Sequence, residues 1–120
     1  MAAPNIVNVS TITAKTVGAN LGTTVTTSLL ANSASSGKVF KINTIMVSNV
    51  DGSNAADATI EYYDGSNGYK LASTMSVAAE STLVVSDKST VIYLEEGDSI
   101  RGGASAASDL QVLISYEEIS

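Results

Sequence analysis

The run Ile92-Tyr93-Leu94-Glu95-Glu96-Gly97-Asp98-Ser99-Ile100-Arg101 decides how this chain reads. Leu94 and Ile100 are apolar anchors on either side of a polar reversal. Gly97 supplies the positive φ that a tight turn needs, and the Asp98 carboxylate is placed to accept a hydrogen bond from a nearby backbone N–H. The surrounding stretch from Ser81 to Ile119 repeats the pattern as short apolar runs separated by turn chemistry. Downstream, Leu110, Val112, Ile114 and Tyr116 alternate and mark one buried face of a final strand. Leu113 and Ile119 fall on its other face, where a neighbouring subunit could cover them.

The same grammar runs through the front of the chain. Ile6 to Thr13 is rich in β-branched residues and reads as a first strand or an extended arm. Ala14 to Leu21 reads as soft, with Gly18 and Asn20 as turn signals. Thr23 to Leu30 is a β-prone run. Lys38 to Val50 is the longest periodic element. Val39, Lys41, Asn43, Ile45 and Val47 fall on one face, and Phe40, Ile42, Thr44 and Met46 on the other. Both faces are partly apolar, so a central strand covered on part of each side is expected. Ala58 to Tyr63 and Tyr69 to Val77 flank Asp64-Gly65-Ser66-Asn67-Gly68, the strongest hairpin signal in the chain. Gly102 to Ser108 reads as a small-residue loop.

These segments give about eight to ten short strands and no convincing helix. The expected fold is all-β, a single antiparallel β-sandwich of jelly-roll type. Residues 1–13 form an N-terminal strand or arm, and residues 14–120 form the sandwich.

Composition narrows function by exclusion. The chain has 120 residues, a net charge of -6 and neither Cys nor His. Its acidic balance argues against nucleic acid, because it cannot neutralise a row of phosphates, and against anionic membrane surfaces. The lack of His removes the usual general base and the commonest metal ligand. The start has no basic and apolar signal-peptide pattern, so synthesis in the cytoplasm is expected.

Several constellations invite a chemical reading. Asp51, Asn54 and Asp57 offer oxygens to a calcium ion, as do Asp64, Ser66 and Asn67. Neither set matches a calcium loop, and capping of turn backbones explains them better. The pairs Glu95–Glu96 and Glu117–Glu118 are adjacent in sequence, and neighbours on a strand point to opposite faces, so neither pair is a catalytic dyad by itself and solvated edge charges are expected. Ser and Thr are abundant, but no spacing singles out an activated nucleophile among Lys15, Lys38, Lys41, Lys70 and Lys88. No catalytic residue, cofactor or metal is therefore assigned. Tyr62, Tyr63 and Tyr69 cluster around the Asp64–Gly68 turn and form a candidate glycan-binding patch, although cross-strand packing is the plainer account.

The Leu94-Glu95-Glu96-Gly97-Asp98 turn, followed by Ser115-Tyr116-Glu117-Glu118-Ile119, resembles the ending of small virion structural proteins of tailed bacteriophages, those infecting marine cyanobacteria above all. The likeness is densest over Leu83 to Ile119. It implies a β-sandwich that binds other virion proteins without catalysis. The first expectation is a capsid decoration or cement protein on the major capsid shell; the alternative is a neck, tail or fibre-base component. It further implies location in the virion after synthesis in the host cytoplasm, and a homotrimer matched to capsid three-fold sites. Ile6, Val7, Val9 and Ile12, with Leu113 and Ile119, are the candidate interface residues. An extended arm can add a strand to a neighbour's open sheet edge.

Overall fold

A computed structural model describes residues 9–120; Ile6 and Val7 lie outside the described residues. Among the described residues nine strands form two antiparallel sheets. They are β1 (Ile12–Asn20), β2 (Ser28–Ala31), β3 (Val39–Asn49), β4 (Ala56–Tyr63), β5 (Gly68–Val77), β6 (Thr82–Ser86), β7 (Ile92–Leu94), β8 (Ser99–Ala104) and β9 (Leu110–Ile119). One sheet runs β1-β9-β3-β6, with β7 also paired to β3; the other runs β2-β8-β4-β5. The pairings are nested. β1 pairs with β9, β2 with β8, β3 with β6 and β7, and β4 with β5. A long hairpin rolled into two layers gives this pattern, and the β3–β9 and β4–β8 contacts close the sheets. The all-β jelly-roll expectation holds.

The core lies between the sheets. Ile42, Ile45, Val47, Ile60, Leu94, Ile100, Leu110 and Ile114 are fully buried. The expected inner face of the last strand is the observed one: Leu110, Val112, Ile114 and Tyr116 all face the core.

β3 is covered on part of each side, as expected, since Val39 on its outer face is buried, but its alternation is not regular. Its pairing to β9 slips by one residue between Ile42 and Thr44. Asn43 is the extra residue of a β-bulge, and a bulge reverses the alternation beyond it. Phe40 and Ile42 face the core before it, and Ile45, Val47 and Asn49 face the core after it. The strand is central, and Phe40, Ile42, Ile45 and Val47 collect on its core side while Val39 and Met46 stay on the other.

Three other segments depart from the sequence reading. The soft segment is the body of β1, an edge strand held by main-chain bonds to β9, with only Val17 and Ala19 packed against the core. The strand expected over Thr23 to Leu30 shrinks to Ser28–Ala31. Before it, the chain follows the flank of β8 more loosely, with Ala104 N–H donating to Gly22 O and Gly102 N–H to Thr27 O. Gly102 and Gly103 are strand, not loop. A Cβ on Gly102 would lie 2.7 Å from Thr59 O, and one on Gly103 2.9 Å from the Thr24 backbone, so neighbouring backbone occupies the space.

Two buried asparagines pin the ends of the sandwich. Asn32 Nδ2 donates to Lys38 O (2.8 Å) and Leu94 O (3.0 Å), and its Oδ1 accepts from Ser36 Oγ (2.5 Å). Its main chain binds Asp98 O and Gly97 N–H. Asn49 Nδ2 donates to Asn54 O and Val77 O, both at 2.9 Å, and its Oδ1 accepts from Asp51 N–H. Asn32→Ala leaves the Lys38 and Leu94 carbonyls without their donor and should lower unfolding stability by about 2–4 kcal/mol. Asn20→Ala, on the exposed face of β1, should change it by less than about 0.5 kcal/mol. Urea denaturation of both variants checks the contrast, and equal effects would refute the pinning role of Asn32.

Candidate interaction surfaces

The Leu94–Ile100 turn is built as its sequence implies. Gly97 has φ +90°. Asp98, 5% exposed, accepts from Glu95 N–H (2.9 Å) and from the Tyr62 hydroxyl (2.7 Å). Burial, reinforced by the Asp98 carboxylate, pushes the Tyr62 phenol well above the ordinary tyrosine range. This tyrosine is therefore a neutral donor locked into the fold.

The three tyrosines do not share a face. Tyr62 and Tyr69 are directly opposite across β4 and β5, with ring centroids 6.4 Å apart. Tyr63 is on the other side of the sheet, its ring under the Arg101 guanidinium at 3.7 Å and its hydroxyl donating to Gly65 O. Tyr69 alone is largely exposed. The arrangement is cross-strand packing around one hairpin, not a platform of three rings.

Beside Tyr63 lies a cluster that the sequence reading missed. Glu61 is on the outer face of the β4–β8 sheet yet only 2% exposed. Lys70 Nζ donates to it at 2.6 Å and Arg101 Nε at 2.6 Å, and Arg101 makes a second contact through its terminal nitrogen. Gly68 backs the carboxylate, since a Cβ there would lie 2.7 Å from Glu61 Oε2. The Lys70 ammonium holds the Glu61 carboxyl below the ordinary glutamate range; burial opposes it and Arg101 assists it. The available signal was the Asp64–Gly68 hairpin, whose closure brings Glu61 opposite Lys70. Arg101 comes from the far side, on β8.

The acidic loops are engaged in their own turns. Asp51 accepts from Ser53 and Asn54 N–H, and Asp64 from Ser66 and Asn67 N–H. These backbone donors lower both carboxyls below the ordinary aspartate range. Asp57 sits apart on β4, its N–H bound to Ser105 Oγ. Among the described residues no group of acidic side chains is arranged to hold a metal ion. Glu117 and Glu118 separate as expected. Glu117 accepts from Asn43 Nδ2, whereas Glu118 bridges Lys15 (3.2 Å) and Lys38 (3.0 Å). Partial burial would raise the Glu118 carboxyl, but the two ammonium groups outweigh it and bring it below the ordinary range.

The outer face of the β3–β9 sheet has a different character. Register and alternation place its side chains in rows. Asn20, Gln111, Ser48 and Thr82 form one row, with Gln111 bonded to Asn20 and Ser48 to Thr82. Gly18, Leu113, Met46 and Val84 form the next, and Thr16, Ser115 and Thr44 the third. None of these residues is charged. Leu113 is 41% exposed and Val84 53%. Of the residues singled out for an interface, Ile12 is 58% exposed and Val9 is partly buried. Ile119 shares Leu113's side of β9 but is only 5% exposed, so it offers no surface to a neighbour.

No protein-family model, curated protein or solved structure matches the chain.

Glu61 is stabilising where it is ionised. With its folded-state pKa depressed, its contribution is present above its unfolded value of about 4.3 and is lost as pH falls through the folded value. Glu61→Gln should therefore cost about 1–2 kcal/mol at neutral pH, discounted for the exposure of Lys70. The gap from the parent should close as the pH falls below about 4. Thermal melts of both proteins across that range check the sign, and a gap that widens in acid would refute it.

Proposed function

We propose that this chain is a non-enzymatic structural protein of a phage particle and, most concretely, a decoration or cement protein on the capsid shell. One observation carries the reading: the three uncharged rows on the outer face of the β3–β9 sheet, which stop at the Lys41–Glu117 pair, on a molecule of net charge -6. Its hydroxyl and amide rows frame the apolar row of Leu113, Met46 and Val84, a composition suited to close contact with another protein. Most acidic residues stand in loops and at turns, as at Asp51, Asp64, Glu80, Asp87, Glu95 and Asp109, where they keep particles apart in solution. The resemblance of the Leu94–Ile119 segment to virion proteins points the same way.

A neck, tail or fibre-base location rests on the same face and differs in copy number. The glycan-binding alternative has lost its main support, because Tyr63 is on the opposite side of the sheet from Tyr62 and Tyr69.

Co-sedimentation with particles stripped of accessory proteins tests the proposal. Saturable binding at hundreds of copies per particle is expected for decoration, and a handful of copies would move the protein to the neck or tail. Leu113→Glu should weaken the binding at least about tenfold without unfolding the chain. Absence of binding by the folded parent would overturn the virion reading.

A further inference from the structure

The two sheets have four edges: β1 and the β6/β7 side in one, β2 and β5 in the other. Natural sheets blunt their edges against stray pairing by brevity, bulges, prolines or charges. Three of these edges are blunted. β2 has four residues and a register break. The β6/β7 edge is cut in two by the turn that Asp87 caps. β5 is long but slips twice against β4, and Thr74 within it has φ +46°.

β1 has none of these defences. Its nine residues pair with β9 in unbroken register, with no proline and no left-handed residue. Its one charge is Lys15, and that ammonium is occupied by Glu118 at 3.2 Å. The direction of its free hydrogen-bonding groups follows from its ends. Thr11 and Ser120 exchange both main-chain bonds, and Leu21 N–H donates to Leu110 O. Odd-numbered residues therefore turn their N–H and C=O toward β9. The even-numbered residues Ile12, Ala14, Thr16, Gly18 and Asn20 turn theirs away, to an edge with no partner among the described residues.

We propose that this edge pairs with the β1 of a second copy, antiparallel across a two-fold axis at Thr16. Thr16 then faces its own counterpart, Ala14 faces Gly18, and Ile12 faces Asn20. Roughly ten main-chain hydrogen bonds form between the copies, as many as a typical interface holds. No two charges of like sign lie directly opposite, because Lys15 falls opposite Val17; the two Lys15 side chains are diagonal neighbours, each neutralised by its own Glu118. The exposed Ile12 leans diagonally over Gly18 of the second copy. There a shallow groove of about 470 Å³, lined by Gly18, Asn20, Ser48, Gln111 and Leu113, has no side chain in its floor at Gly18. A second copy is the occupant that explains the exposed isoleucine and the groove together. This pairing stands apart from the virion reading, and it differs from the three-fold assembly expected of a capsid component.

The test uses the full chain. Analytical ultracentrifugation should show a reversible monomer–dimer equilibrium. Thr16→Lys places two ammonium groups on the axis and should raise the dimer dissociation constant at least about tenfold with an unchanged circular dichroism spectrum. Thr16→Cys provides a second readout in a chain without cysteine. Hydrogen-bonded antiparallel partners have Cα atoms about 5.5 Å apart, within disulfide reach, so mild oxidation should link the copies covalently. Thr82→Cys, on β6, should stay monomeric under the same treatment. A monomer at every soluble concentration, a trimer, or a dimer indifferent to Thr16→Lys would overturn the pairing. So would a Thr16→Cys protein that links no faster than Thr82→Cys.

Discussion

The bulge at Asn43 is the constraint on which the rest of this architecture depends. β3 is the strand that touches β9, β6 and β7. A regular strand with its sequence would send Phe40 and Ile42 to one side and Ile45 and Val47 to the other. A two-layer sandwich has a core on one side only, so half of those side chains would face water. One inserted residue reverses the alternation and collects all four on the core side. It also leaves the opposite face to Thr44, Met46 and Ser48. The uncharged rows beyond the bulge and the single core are thus two results of the same local event.

The buried asparagines serve the ends of the structure as the bulge serves its middle. A side-chain amide can donate twice and accept twice, so it can satisfy carbonyls of several segments where no strand pairs. Asn32 ties the start of β3 to the Leu94–Ile100 turn, and Asn49 ties the end of β3 to the segments around Asn54 and Val77. The outer faces of the two sheets are then free to diverge. One bears the Glu61–Lys70–Arg101 cluster and the other rows of hydroxyls and amides. On the proposed assembly, pairing of β1 would extend the second face into one surface twice as wide.

Local chemistry was legible in the sequence, and non-local chemistry was not. The turn at Gly97 and Asp98, the core positions Leu94 and Ile100, and the inner face of β9 each follow from a few neighbouring residues. The faces of β3 were misread because a bulge leaves no compositional mark here: Asn43 is unremarkable in a strand of mixed polarity. β1 was misread because Gly18 and Asn20 read as turn signals, although Val17, Ala19 and Leu21 alternate and face the core. Gly102 and Gly103 resembled loop glycines, since their reason is the approach of Thr59 and Thr24 from other parts of the chain. The Glu61 cluster needed the same distant information. Arg101 reaches Glu61 only once β8 lies beside β4.

The nested strand order has a consequence in time. β4 and β5 join through a short turn, but each outer layer of pairing closes a longer loop, and β1 meets β9 only across almost the whole chain. Loop-closure entropy makes such a topology a slow folder, on the scale of milliseconds to seconds. During synthesis β1 emerges before the other eight strands and waits for a partner that emerges after them. Its weak apolar character limits its pull as an aggregation seed while it waits, whereas its low charge and lack of proline give it no other guard.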